Sequence, residues 1–591
     1  MASNVLRNNF TQGIVSQRLW GQYNSAYYQN GCAKLENFII HPQGGIERRY
    51  PTTDISGING SRLIPFEIDE HTSYIIEIDG GATKAIRVWK RHDSQVPVKV
   101  KFDTSTQKES AQGTVESLYE NILGYLLYTD AQASDIQFAQ GLNGTKLILV
   151  MVHKNFNPLY FEYDPVTDSI TYPKKLTHST ATFSSHPQTY VEYAETLSMF
   201  TTNDNPSVVF YYASRLWFAG SVNHPYRLWA SRPFKPFNFQ MVDYSDTVDD
   251  TATAQDIIDA VEAGGEYQIT PTVVYTEVIR EDNALLLEVG SSSNDRIMWM
   301  NSMGNYIVVG TASAEWMISG SINGLTQNAY QSSSYGSCAL QPVTAGNDLV
   351  FAQGGNRKLR AFIGSDSGYS CPDLIFQCDN ILLQGVKRMC FKRVPEPMLF
   401  CLLNDGNLAV LYYDRTYSLQ GWAVWKLAEA IADICVVNTN VGQRVYVITN
   451  RTYSGTTAKR LEYFDEGRNT YKDGLNYPTT GDGVNFTSAL DTITYERTST
   501  TDGSSLGKKK RIYEVNIRTL DASKGTAGYY WGSGSSSIYN QSFVSTNNAW
   551  GIDDVKVSLA GGYEKYVSFK LRSDGDNPLT VDAISLFTEV E

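Results

Sequence analysis

A strand–turn–strand unit recurs through the middle of the chain, and a recurring unit constrains a fold more tightly than any single motif. In each unit a short, very apolar strand meets a tight turn, and a following strand ends near an aromatic residue. Seven units can be counted. The first three pair Tyr74–Ile78 with Ile86–Trp89, Leu147–Met151 with Leu159–Tyr163, and Arg215–Gly220 with Tyr226–Trp229. The fourth and fifth pair Tyr306–Gly310 with Glu315–Ile318, and Asp348–Ala352 with Leu359–Phe362. The sixth runs Met398–Leu402, Leu408–Tyr412 and Ala423–Trp425, and the seventh pairs Val445–Ile448 with Leu461–Phe464. Units four to seven begin about 45 residues apart, the period of a four-stranded propeller blade. Earlier units are spaced wider and so carry insertions. A propeller accounts for strands that are apolar on both faces, because they pack between neighbouring blades, and it leaves only short strand edges exposed. Two stacked β-sandwiches would be the alternative use of the same strands.

Turn chemistry agrees with a β fold. Asn-Gly or Asp-Gly pairs stand at Asn59-Gly60, Asp79-Gly80, Asn143-Gly144, Asp405-Gly406, Asp482-Gly483 and Asp574-Gly575. Both residue types tolerate the positive φ that tight hairpins demand. Two insertions read as helical. Val115, Leu118, Tyr119, Ile122 and Leu126 recur at near-helical spacing within Ser110–Tyr128, and Ile257, Ile258 and Val261 form an apolar face within Thr251–Ala263, with Asp249 or Asp250 as its cap.

After residue 470 the texture changes to Gly, Ser, Thr and Asn, with alternating strands at Lys510–Arg518, Val555–Leu559 and Tyr566–Leu571 and a closing strand from Asn577. The expected fold is therefore mainly β: an irregular β-propeller with helical insertions plus a C-terminal β-sandwich-like platform domain. The expected division is an N-terminal arm with first strands over 1–60, the propeller over 61–470 with insertions near 95–130 and 245–290, and the platform over 471–591.

The charge balance narrows the function. The net charge is −13 over 591 residues, so the chain as a whole does not attract nucleic acid. The densest basic run, Lys508–Arg511, reads as a solvated hairpin tip. Charged residues are 19% of the chain, below the usual quarter, while tyrosines number 38, a balance that suits sheets and covered surfaces. The seven cysteines are odd in number and include no C-x-x-C, so neither a disulfide framework nor a zinc site is signalled. The start, Met1 to Arg7, lacks the apolar core of a signal peptide, and no apolar run reaches the length of a membrane span. Synthesis in a cytosol, with no stable membrane insertion, is expected.

No catalytic constellation survives inspection. The seven histidines form no H-x-x-x-H pair, and Gly364–Gly368 carries Asp366 where a nucleophile elbow needs serine. No Gly-rich phosphate loop follows a strand and opens a helix. Asp243, Asp246, Asp249 and Asp250 cluster, but the glycine and closing glutamate of a calcium loop are missing, and a solvated turn with a helix cap is the expectation. Glu262, Glu266, Glu277 and Glu281 offer carboxylates for a glycosidase pair, which spacing cannot fix. Trp217, Trp229, Trp299 and Trp316 lie inside the strand repeats, so blade packing is expected of them before sugar stacking. The chain is therefore read as a structural protein, not an enzyme, with no cofactor and no metal.

The N-terminal segment is the most specific stretch. It reads Ser16-Gln17-Arg18-Leu19-Trp20-Gly21, then Gly31 followed by Asn37-Phe38, then Pro42-Gln43-Gly44-Gly45-Ile46-Glu47-Arg48-Arg49. Further stretches follow in order: Arg215–Gly220 with Leu228-Trp229, Ile297–Met300 with Glu315-Trp316, Tyr335-Gly336-Ser337 with Pro342-Val343, and Asp405-Gly406 with Gly421-Trp422 and Trp425. In this ordered set the chain resembles the tail nozzle family of short-tailed bacteriophages (podoviruses), also called tail tubular protein B or the stabilisation protein. The resemblance spans nearly the whole chain, except the two insertions and residues 470–505. Tyr50-Pro51 departs from it, since the family usually has Pro-Gly after the arginines.

The resemblance implies a virion structural protein of the tail, made in the bacterial host cytoplasm. Such subunits assemble as a hexameric, propeller-rich ring below an adaptor ring of the tail tubular protein A type, with tail fibres as further neighbours. Genomic DNA is retained by that conduit and passes non-specifically through its lumen at genome ejection. The alternative is a tail-associated protein that binds or depolymerises host glycan. An acidic lumen would let phosphate slide, whereas a basic one would hold it through counterion release. Gly44-Gly45 permits a positive-φ turn. Arg18, Arg48 and Arg49 have the planar fork for bidentate carboxylate pairing. Two uses of them stay open: intrachain pairing that docks the arm, or an assembly interface between ring subunits.

Overall fold

The computed structural model describes residues 2–591 apart from 83, 93–95, 113–116, 120–127, 177–202, 240–242, 250–271, 279, 290–294, 320–327, 366–367, 441, 454–455, 468–469, 477–482, 497–503, 521–522, 532–536 and 546–550. The chain divides into two compact units, Met1–Ile136 with Ala312–Ala314 and Ser333–Glu591, and Gln137–Thr311 with Glu315–Ser332.

Blade-type antiparallel sheets appear at all seven repeats counted in the sequence, and the fold is an irregular β-propeller with a sandwich-like platform. The first unit holds blade 1 (62–119), blade 5 (343–370), blade 6 (386–425) and blade 7 (431–464). The second holds blade 2 (137–175), blade 3 (208–288) and blade 4 (297–333). The strongly apolar second strand is buried along its whole length in several repeats, as in Thr72–Asp79, Asp348–Ala352 and Met398–Leu403. Packing between blades explains this. Leu63, Ile75 and Trp89 of blade 1 meet Cys435, Tyr446 and Ile448 of blade 7, while Val350 and Ala361 of blade 5 meet Leu399 and Leu411 of blade 6. In the second unit Trp217 and Leu228 of blade 3 meet Met300 and Val309 of blade 4. Trp217 and Trp299 are fully buried and Trp229 nearly so, which places these tryptophans in blade packing as expected.

Blade 7 is completed from the other end of the chain. Thr52–Gly57 pairs with Thr456–Phe464 as its fourth strand, immediately before the chain enters blade 1. The sandwich is likewise built from both ends. One sheet joins Phe38–Ile40, Ile46–Arg48, Thr580–Val590, Lys510–Leu520 and Ile552–Ser558, with Ala2–Arg7 against Thr580–Val590. The opposing strands are Gly31–Glu36, Ser488–Thr492, Val567–Ser573, Lys524–Trp531 and Ser537–Val544. Alternating residues from the two layers, among them Leu35, Val515, Ile517, Phe569, Leu571 and Ile584, share one core. The platform expected from residue 471 thus takes strands from the first 48 residues as well.

Gly13–Ile14 joins the two architectures. It pairs in parallel with Gly31 and Cys32 on one side and with Trp422 on the other. Blade 6 and the second sandwich layer thereby become one ten-stranded sheet. The position admits only glycine: its φ is +57°, and a Cβ would lie 2.3 Å from the Trp422 carbonyl oxygen.

Three local expectations are corrected. Ser117–Tyr119, inside the stretch read as helical, is a strand paired with Ala85–Arg87. The acidic stretch Asp243–Asp249 is also a strand, paired along its length with Thr272–Val278, and not a solvated turn. Its Tyr, Thr and Val residues favour the pleat, and cross-strand pairing outweighs the turn preference of its aspartates. Lys510, in the basic run, is buried and bonded to Glu496 at 2.5 Å, while Lys509 before it stays exposed, so the run is solvated only in part. The helix expected over 251–263 lies outside the described residues.

Replacing Gly13 by alanine is expected to cost about 1–3 kcal/mol through forced overpacking at the seam. Urea unfolding followed by tryptophan fluorescence checks this, with Gly144→Ala, at an open hairpin turn, as the control for positive φ alone.

Candidate functional site

The segment from Ser16 to Arg49 carries both the ordered motif and the site arginines, and the structure divides those arginines into two groups. Arg48 ends strand Ile46–Arg48, and Arg49 follows it into the interior. Both are completely buried within the chain. Arg49 makes the bidentate pair anticipated for it, with Nη1 and Nη2 donating to Asp473 at 2.8 and 2.6 Å. Its Nε donates to Asn37 Oδ1 at 2.9 Å, and its remaining protons reach the Tyr50 and Lys426 carbonyls. Among the described residues no carboxylate lies within hydrogen-bonding distance of Arg48. Arg48 donates instead to the Ser488 and Ser573 hydroxyls and to the carbonyls of Phe486, Gly575 and Asn577. Burial first, and the neighbouring Arg49 charge second, draw the Arg48 guanidinium down to about 10, so it keeps its proton at neutral pH. Both guanidinium groups lie over the Phe486 ring, at 4.5 and 3.7 Å from its centroid.

Of the two uses open for these arginines, Arg48 and Arg49 therefore serve intrachain docking. An assembly interface needs side chains that another subunit can reach, and these cannot be reached. The other motif residues work at the same joint. Asn37, at φ +57°, accepts from Arg49 and from the Lys426 amide, and its own amide donates to the Thr487 carbonyl. Gly44 takes the positive φ expected of it, at +108°. Tyr50, the departure from the family pattern, stacks beneath the Lys392 ammonium, and burial with nearby Glu396 and Glu466 pushes its phenol far up.

Arg18 is different. It sits on the one-turn 3-10 helix Gln17–Leu19, capped by Ser16, with its side chain 86% exposed and 3.3 Å from Asp379. Phe376, in the same 371–385 connector as Asp379, is 62% exposed and meets the Tyr27 ring edge-on at 6.2 Å. An exposed arginine beside exposed aromatic carbon is the composition of a protein–protein contact. Sequence reasoning missed Phe376, because nothing in its local pattern separates an exposed phenylalanine from a buried one.

Buried charges elsewhere also act as joints between blades. Asp433 of blade 7 binds Arg62 of blade 1 and Arg388 of blade 6, at 3.3 and 3.2 Å. Within blade 7, Glu462 ties the fourth strand to the rest, accepting from Arg451, Thr449 and Thr52. Burial alone pushes both carboxyls up, and these partners bring them back below the ordinary carboxylate range. Among the described residues no group of three or more His, Cys, Asp and Glu side chains is arranged to hold a metal ion. The seven cysteines form no disulfide, and no helix among the described residues is long and apolar enough to cross a membrane.

No family model matches the chain, and no curated protein matches it. Solved structures do show likeness. The Pan2 WD40 domain of Neurospora crassa is 8% identical, with a TM-score of 0.34 over 71% of this chain and 97% of that one. YCF48 bound to D1 peptide gives 8%, 0.35, 71% and 97% for the same quantities. Raptor of Chaetomium thermophilum is 10% identical with a TM-score of 0.36, the match covering 71% of this chain but only 29% of that one. At such scores the likeness says nothing about function.

Two outcomes are expected. Arg49→Ala leaves Asp473 buried without its partner and should cost about 3–5 kcal/mol, part of which Asp473→Ala in the same chain restores. Urea midpoints of the two single variants and the double variant measure this. Acid should expose the carboxylate joints: because Asp433 and Glu462 have depressed folded values, their contribution is present above about pH 4 and is lost as pH falls through those values. Glu462→Gln should therefore flatten the acid limb of a stability–pH curve.

Proposed function

We propose that the chain is a structural subunit of a bacteriophage tail nozzle, one copy of a ring-shaped, non-catalytic conduit. In this reading it forms a hexamer in the virion tail, docks on an adaptor ring of the tail tubular protein A type, neighbours tail fibres, retains the genome and passes it at ejection. One observation carries the reading: two residues of the N-terminal stretch that brings out the family resemblance, Asn37 and Arg49, are used for the joint between propeller and platform. Asn37 accepts from the Lys426 amide that follows blade 6 while its side-chain amide donates to the Thr487 carbonyl, and Arg49 reaches both the Lys426 carbonyl and Asp473. A motif spent on holding two architectures rigid suits a part that bears load during DNA passage. The net charge of −13 suits a wall along which phosphate slides without being held.

The exposed Arg18 and Phe376 are the assembly surface in this proposal. Cryo-microscopy and native mass measurement of the purified chain, alone and mixed with the adaptor, are the test. A closed ring with an acidic lumen is expected. Arg18→Glu with Phe376→Ala should lower ring formation at least about tenfold, corresponding to roughly 1.4 kcal/mol, without lowering the melting temperature. A chain that stays monomeric with the adaptor present, or a ring with a strongly basic lumen, overturns the proposal.

A further inference from the structure

A cleft of about 540 Å3 lies beside the seam, where residues 17–23 of the arm face the sandwich sheet. That is within the size range of small-ligand sites. Its rings are Trp20, Tyr23, Tyr530 and Tyr566, the last 60% exposed at the rim. Trp20 is held by its indole N–H, which donates to the Val15 carbonyl at 3.0 Å, so the ring is preset and its indole proton is already spent. The charges lining the cleft are matched. Lys570 donates to Asp491 at 2.9 Å and lies 5.5 Å from the Tyr530 centroid, and Glu496 takes buried Lys510. The cation's place against the aromatic wall is thus already filled by the protein itself. Asp491 Oδ1, in contrast, is buried and takes no hydrogen bond.

A charge-balanced cleft gives neither an anion nor a cation a reason to enter. Aromatic faces beside an adjoining acceptor and donor fit a different ligand, one with apolar C–H faces and vicinal hydroxyls. We propose that this cleft binds a short neutral oligosaccharide, with a pyranose ring against Tyr566 and Trp20 and its hydroxyls on Asp491 and Lys570. It is a binding site only, and no bond is broken there. It lies within one chain and stands whether or not the chain forms a nozzle.

The experiment is saturation-transfer NMR on the full chain with maltotriose, cellotriose and chitotriose as separate probes, and with tetralysine as the contrasting probe. Transfer to the ring C–H protons of at least one trisaccharide is expected, with binding about tenfold weaker in Tyr566→Ala and in Asp491→Asn. Tyr566 is exposed, so its variant should melt like the parent chain and decides the matter if Asp491→Asn misfolds. The proposal falls if no trisaccharide receives transfer, or if transfer is undiminished in Tyr566→Ala. It falls equally if tetralysine binds through Tyr566 while the sugars do not, since the cleft would then be a site for cationic peptide.

Discussion

A two-residue strand carries more of this architecture than its length suggests. Gly13–Ile14 pairs in parallel with both the sandwich strand Gly31–Glu36 and the blade strand Leu419–Trp425, and farther along those two strands pair directly at Glu36 and Val424. A blade edge and a sandwich edge would otherwise each present unpaired backbone. Inserting the short strand between them satisfies both and fixes their register. The connector before blade 6 is drawn to the same place: the Ser16 amide donates to the Gln377 carbonyl, and the Gln377 side chain reaches the Gln12 and Gln420 carbonyls.

Arg49 reinforces that seam from a second direction, and Arg48 beside it holds the platform together. A guanidinium removed from water costs several kcal/mol unless its donors are met. Arg49 meets the cost with a carboxylate and Arg48 with carbonyls and hydroxyls, and in both cases the acceptors come from distant parts of the chain. Such groups add specificity more readily than net stability, because an apolar pair of the same shape could pack as well. Here they hold the end of strand Ile46–Arg48 between residues 473–488 and 573–577, so the ends of the chain close on each other in one register.

The blades were legible in the sequence because they repeat locally: an apolar strand, a tight turn, in several blades with Asn or Asp beside Gly, and an aromatic at the end. Hairpins such as Gln137–Asn143 with Lys146–His153 need only neighbouring residues to form. The fourth strand of blade 7 was not legible, since Thr52–Gly57 finds its partner about 400 residues later and no local pattern marks the pairing. The partners of Arg48 and Arg49 were hidden for the same reason. The strand Ser117–Tyr119 was misread because near-helical spacing of apolar residues across Gly113 and Gly124 is weak evidence, and pairing with blade 1 decides the conformation. At the cleft, Trp20 and Asp491 are separated in sequence by most of the chain, and only the fold brings them to one wall.

The three arginines of one motif show why residue type alone does not define an interface. Arg18, Arg48 and Arg49 share the same chemistry and stand within one short stretch. Burial separates them: Arg48 and Arg49 are enclosed by their own chain, while Arg18 extends into solvent beside Asp379. A surface ion pair such as Arg18–Asp379 contributes little to the stability of the chain. That pair can therefore be opened or shared with a partner at little cost, whereas the Arg49–Asp473 pair cannot. The exposed face of the arm is the one left open to a partner, and the internal face is committed to keeping propeller and platform in register.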